Sequence, residues 1–183
     1  MKDFEFYLKK AGDAHGHACV GIALGTRITL AAMKALGLDP DVKNKNLIVY
    51  AEIDRCMTDA IQFITGCSLG HRSLKYIDYG KFAATFVNTD TGKAVRATVM
   101  EHFGSGDSIE ETIRKISRIP DAELVTMWEV RMNIPETDLP GNPKQKAVCA
   151  SCGERVVDGR EVNQGAKTLC RGCANGTYYN DIK

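Results

Sequence analysis

Residues 14–37 read AHGHACVGIALGTRITLAAMKALG. From about Cys19 to Leu36 the stretch holds no proline and places Ala23, Leu24, Ile28, Ala31, Ala32 and Ala35 at helical spacing. Gly37 suits the left-handed residue that ends a helix, and Pro40 lies just beyond. The opening of the stretch concentrates His15, His17 and Cys19 within five residues. A long apolar helix entered through a ligand-rich segment is the feature to which the rest of the chain relates.

Before it, residues 3–14 carry Phe4, Tyr7, Leu8 and Ala11 at the spacing of a short amphipathic helix. After it, Leu47–Ile53 is a short apolar run that reads as a strand. Cys56–Thr65 reads as a helix stopped by Gly66, with Ile61 and Ile64 facing the core. Lys75–Tyr79 alternates as a strand, and Phe82–Asn88 and Ala94–Met100 flank the turn Thr91–Gly92 as a hairpin. Ser108–Ser117 is a helix that Asp107 or Ser108 can cap. Asp121–Trp128 reads as one more helix and Glu129–Ile134 as a last strand. The sum predicts an α+β fold, with helices packed on a small, mostly antiparallel sheet. Three of the five prolines then fall within nine residues of PETDLPGNPKQK. That shift marks a linker at 135–146, between a core domain at 1–134 and a small module at 147–183.

Composition narrows the function. The 183 residues hold 24 basic and 23 acidic side chains, and a net charge of +1 argues against a dedicated nucleic-acid binder. No apolar run reaches the roughly 20 residues of a membrane helix. The opening MKDFEFYLKK lacks the apolar core of a signal peptide, so a cytoplasmic address is expected. In that compartment seven cysteines read as metal or redox chemistry rather than disulfides.

Four of them form two pairs. CASC is followed seventeen residues later by CRGC, so Cys149, Cys152, Cys170 and Cys173 match a tetrahedral zinc motif. Each CxxC turn directs two thiolates toward one metal edge, and Gly153 and Gly172 relieve the backbone beside them. Four sulfur ligands leave no open position, so this zinc is expected to be structural. Arg155, Arg160, Lys167 and Arg171 are balanced by Glu154, Asp158, Glu161 and Asp181, which favours protein or dimer contact over phosphate binding.

The other three cysteines stand apart. In an extended segment alternate residues share a side, so His17 and Cys19 are placed to share a metal. Cys19 also falls at the first turn of the long helix, whose dipole favours a thiolate. Cys56 and Asp59 lie at i and i+3 on the next helix, with Gln62 one turn on. If the two helices meet at their N-terminal ends, His17 and Cys56 face one another, joined by Cys19 or Cys67 and bordered by Asp59 and Gln62. Cys67, alone after Gly66, is also read as a structural core thiol. A mixed nitrogen and sulfur set suits zinc or another late first-row metal. His71 and His102 read as surface residues, and Lys81 as a turn residue or a cation at the mouth of the site.

These motifs together resemble the FmdE family, whose name denotes a subunit of formylmethanofuran dehydrogenase. HGHACVG, RCMTDAIQFITGCSLGH, DYGKFAATF and the terminal CxxCGE…CxxC module occur in the family's order across nearly the whole chain. Val20 stands where the family often has proline, and His71 where lysine is common. The resemblance implies an α+β core with a His/Cys cleft plus a zinc finger, and genes that accompany molybdenum or tungsten formylmethanofuran dehydrogenases. Carried over by position, the cleft residues are His17, Cys19, Cys56, Asp59, Gln62 and Cys67.

Three functions are consistent with these features. The first is a metal-binding accessory or redox-linked protein for a molybdenum or tungsten enzyme, with a second transition metal held by His17, Cys19 and Cys56. The second is a thiol- or metal-dependent enzyme, with Cys56 or Cys19 as nucleophile, His17 as base and Asp59 orienting it. The third is a zinc-finger regulator that binds protein or DNA. A homodimer is expected through the long helix, where Gly21 and Gly25 permit close approach.

Overall fold

The computed structural model describes residues 2–103, 106–180 and 182. They form two units, Met1–Asn133 and Ile134–Lys183.

In the first unit, α1 (Phe4–His15) begins where the Asp3 carboxylate accepts the Phe6 N–H at 2.9 Å, and ends at Gly16, whose φ of 99° is left-handed. α2 (Val20–Ala35) is capped by Cys19, whose sulfur accepts the Ile22 N–H at 3.4 Å. Ile22, Ala23, Leu24, Ile28, Ala31, Ala32 and Met33 are all buried, so α2 is buried on nearly every side, as a central helix must be. The close approach expected to join two copies through this helix is used within one chain instead. Gly21 and Gly25 do serve close approach, but toward α3 (Met57–Thr65) of the same chain. A Cβ on Gly25 would stand 2.9 Å from the Met57 Cα and 3.0 Å from the Ala60 Cβ. Gly25→Val should therefore destabilise the core by about 1–3 kcal/mol through overpacking. Urea unfolding measures it, and a loss below about 0.5 kcal/mol, the scale of an innocuous surface change, would refute it.

The sheet holds β1 (Leu47–Ala51), β2 (Leu74–Tyr76), β3 (Ala83–Asn88), β4 (Ala94–Val99) and β5 (Val125–Val130), in the order β2-β1-β3-β4-β5. β1 and β2 run parallel and every other pair is antiparallel, so the α+β reading with a mostly antiparallel sheet holds. Period-2 alternation turns Leu47, Val49, Ala51, Ala84, Phe86, Val95, Ala97 and Val125 into one core with the helices. Between β4 and β5, α4 (Ile109–Arg118) starts with a capping box of Ser108 and Glu111, then α5 (Asp121–Leu124) makes a single turn. Arg27 of α2 ties this segment down: its guanidinium donates to the carbonyls of Ile116 and Ile119 and pairs with Asp121 at 2.8 Å.

Two expectations fail after Pro120. The helix does not run to Trp128, and the last strand is not Glu129–Ile134. Val125–Val130 is itself the strand, in register with β4 from Val99↔Val125 to Ala94↔Val130. The backbone ladder on β4 and the β-branched and aromatic residues of VTMWEV outweigh a weak helical spacing.

In the second unit, the Pro-rich stretch holds a 3₁₀ turn, Glu136–Asp138. Two small hairpins follow, β6 (Lys146–Val148) with β7 (Arg155–Val157), and β8 (Val162–Gln164) with β9 (Lys167–Leu169). α6 (Arg171–Asn175) closes the unit. The Asp158 N–H donates to the Gln145 carbonyl at 2.8 Å, and the Ala150 N–H to the Thr168 carbonyl at 2.8 Å, which links the two hairpins.

Candidate metal centres

The tail cysteines converge because each CxxC follows a strand. Cys149 comes directly after β6, and the turn to Cys152 is completed by Gly153 in the left-handed region, φ 77°. Cys170 follows β9 and caps α6, where its sulfur accepts the Cys173 N–H at 3.3 Å. Gly172 sits inside α6 without a positive φ, so of the two glycines singled out only Gly153 meets a special backbone need. All four sulfurs lie within 4.8 Å of one another, with Cys152 and Cys170 at 3.9 Å. A tetrahedron of roughly 2.3 Å metal–sulfur bonds has edges of about 3.8 Å, so the four fit one ion. The N–H groups of Cys152 and Cys170 pull the Cys149 thiol down to about 6. Cys152 is pulled down by the Glu154 N–H, yet its sulfur neighbours and burial carry it up to about 12. Four crowded thiols cannot all ionise unaided, and a bound cation removes that conflict.

The core cluster is built at a helix junction. α1 runs through His15, and the Gly16 turn sends the chain back along α1, where Gly12 lets Ala18 approach. The ligand atoms of His15, His17 and Cys19 come within 4.8 Å of one another, and the two imidazole centroids are 4.9 Å apart. His15 Nδ1 meets Asp59 Oδ2 of α3 at 2.7 Å. His17 is exposed, while His15, Cys19 and Asp59 are partly buried.

Cys56, the N-cap of α3, brings its sulfur to the same point beside Gly21 as the Cys19 sulfur. Burial and the neighbouring Cys19 thiol push the Cys56 thiol above its ordinary value. Gly21 makes room for both: a Cβ there would be 3.0 Å from the Cys56 Cβ, 3.5 Å from its sulfur and 3.8 Å from the Cys19 sulfur. Gln62 lies elsewhere, lining a cavity of about 220 Å³ with Asp54, Thr58, Asp59, Leu74 and Tyr76. Asp59 therefore stands between His15 and that cavity. Cys67 is not brought to the cluster. It is 2% exposed and its thiol contacts the Leu47 carbonyl at 3.4 Å, within the core.

Sequence reasoning placed His15 in the motif but outside the ligand pair, because it treated the segment as extended. The available signal was the helical spacing of residues 3–14, which continues through His15. It also missed Glu52, 6% exposed, which holds Arg96 bidentately at 2.6 Å and 2.6 Å. Arg96 in turn lies 5.0 Å from the Trp128 ring. Arg96 and Trp128 border an open groove of about 710 Å³ with Val20, Leu24, Lys81 and Phe82.

The family described as FmdE, molybdenum formylmethanofuran dehydrogenase operon, matches residues 14–129. This chain belongs to the FmdE family. The FmdE match contains the whole core cluster and none of the tail cysteines. The chain is 33% identical over 199 residues to a probable S-adenosyl-L-methionine-binding protein of Archaeoglobus fulgidus. The alignment covers 94% of this chain and 53% of that protein, so the chain spans about half the length of this curated relative. Among solved structures it resembles a tungsten formylmethanofuran dehydrogenase FmdE-like protein from Syntrophus aciditrophicus. That likeness has a TM-score of 0.63 and 23% identity, over 97% of this chain and 95% of the other, and shows a shared fold. Among the described residues no helix is long and apolar enough to cross a membrane.

Proposed function

We propose that this FmdE-family chain is a metal-binding accessory protein for molybdenum or tungsten formylmethanofuran dehydrogenase-type chemistry, working in the reducing cytoplasm. The observation that carries the reading is the mutual approach of His15, His17 and Cys19, with Asp59 behind His15. Two nitrogens and a sulfur suit zinc or another late first-row ion. Three protein ligands leave a position for water or substrate. A metal there supplies Lewis acidity or an activated water. The chain's own part is positional: Asp59 holds His15 through Nδ1, which leaves Nε2 as the nitrogen available to a metal. The tail is assigned a structural zinc on Cys149, Cys152, Cys170 and Cys173.

Metal analysis of the purified chain tests this. About two equivalents are expected. His15→Ala should remove one of them, while Asp59→Asn should weaken that equivalent about 10–100-fold. A single equivalent, unaffected by His15→Ala but lost in Cys152→Ser, would leave only the tail site and overturn the core reading. The partner assignment is tested by co-expression with a formylmethanofuran dehydrogenase, where failure to co-purify or to alter its metal content counts against it.

A homodimer is retained on different ground. β5 is an edge strand whose residues Thr126–Glu129 are exposed, so it offers a second copy a free backbone edge. Light scattering at micromolar concentration should give twice the 20.0 kDa chain mass, and a monomer mass would reject it.

A further inference from the structure

We propose that Cys19 and Cys56 form a reversible dithiol–disulfide couple in the core of this protein. The two thiols arrive from separate helices, yet each belongs to an N-cap and both sulfurs lie within 4 Å of one point beside Gly21. The approach depends on Gly21: both sulfurs lie within 3.8 Å of the point where its Cβ would be, space that any larger residue would take. The Cys19 sulfur also accepts the Ile22 N–H at 3.4 Å, so negative charge on it faces a donor at the start of a sixteen-residue helix. Both cysteines are partly exposed, within reach of a small oxidant, whereas Cys67 is 2% exposed and held in the core. Among the described residues, Cys56 is not in the group of three whose ligand atoms lie within 4.8 Å of one another, which leaves its thiol without an assigned role there.

The chemistry balances with a low-molecular-weight disulfide as oxidant. The Cys19 thiolate attacks one sulfur of the oxidant, breaks its S–S bond and expels one thiolate, giving a mixed disulfide. Cys56 then loses its proton to solvent, and its sulfur attacks the Cys19 sulfur. The Cys19–Cys56 bond forms and the second thiolate leaves. Two electrons pass from the dithiol to the oxidant, and the two released thiolates take up the protons. One consequence rests on the metal reading above: oxidation takes Cys19 out of the ligand set of His15 and His17, so the redox state of the pair controls retention of the core metal.

The test uses the full chain, purified reduced and equilibrated with oxidised and reduced glutathione at a series of ratios. Remaining thiols are alkylated, and the chain is digested with trypsin. Cys19 lies in the tryptic segment 11–27, while Cys56 and Cys67 share segment 56–72, so fragment ions must locate the link. Cys19 and Cys56 are expected to leave the alkylated pool together along one two-electron curve, as a single cross-linked peptide. Cys56→Ser should stop at a Cys19–glutathione mixed disulfide. Gly21→Ala, which places a methyl 3.0 Å from the Cys56 Cβ, should shift the curve toward the reduced form. A wild-type chain in which Cys19 stays glutathionylated, or in which the link runs to Cys67, would overturn the proposal. Metal content measured alongside separates the two readings. A disulfide that forms in a chain with no core metal leaves the couple standing and sinks the metal site. A core metal that stays bound while Cys19 and Cys56 never cross-link does the reverse.

Discussion

Cys152→Ser is expected to unfold the unit Ile134–Lys183 while the unit Met1–Asn133 keeps its thermal transition. The reason is the near absence of a core in the tail. Among its described residues, the buried apolar side chains are Cys149 and Leu169. Its strands are three residues each and form two two-stranded hairpins, units that are marginal in water. What draws the two CxxC turns together is the sulfur cluster, and structural zinc supplies roughly 10–16 kcal/mol in comparable modules at neutral pH. Losing one of four thiolates removes most of that energy. Amide exchange mapped by residue reads the outcome, since protection in the tail should collapse and protection in β1, β3 and β4 should persist. A variant with full zinc content and an unchanged tail would disprove it. Chelation of the wild-type chain should reproduce the effect, and acidification should do so too, because the ligands bind as thiolates.

Arg27→Ala is expected to cost the core about 3–5 kcal/mol, the scale for breaking a buried, hydrogen-bonded charge. Arg27 is 6% exposed and its guanidinium satisfies the carbonyls of Ile116 and Ile119 besides pairing with Asp121. Truncation strips these carbonyls of their donor, at about 1–3 kcal/mol for each group left buried and unpaired. It also loosens α4, whose residue Ile116 is fully buried. Arg27→Met keeps a buried apolar stem in place of the methyl of alanine and should recover part of the loss. Chemical denaturation checks both, and a cost below about 1 kcal/mol for the alanine variant would mean the staple carries little.

Much of this protein was legible in its sequence because the information is local. The helical spacing of α1, α2 and α3, the Thr91–Gly92 hairpin and the CxxC pairs each depend on residues a few positions apart, where backbone geometry alone decides which side chains share a side. The family followed from several such motifs in order. What required the tertiary structure is set by contacts distant in sequence. VTMWEV becomes a strand because β4 offers it a ladder, not because its own spacing demands one. Gly21 and Gly25 face α3 rather than a second chain, a choice made by which helix lies nearest. His15 joins His17 and Cys19 only once Gly16 turns the chain, and Asp59, 44 residues on, is what holds it. Short-range periodicity thus determined the elements and the reactive residues, while packing across the α1–α2–α3 junction decided which of those residues meet.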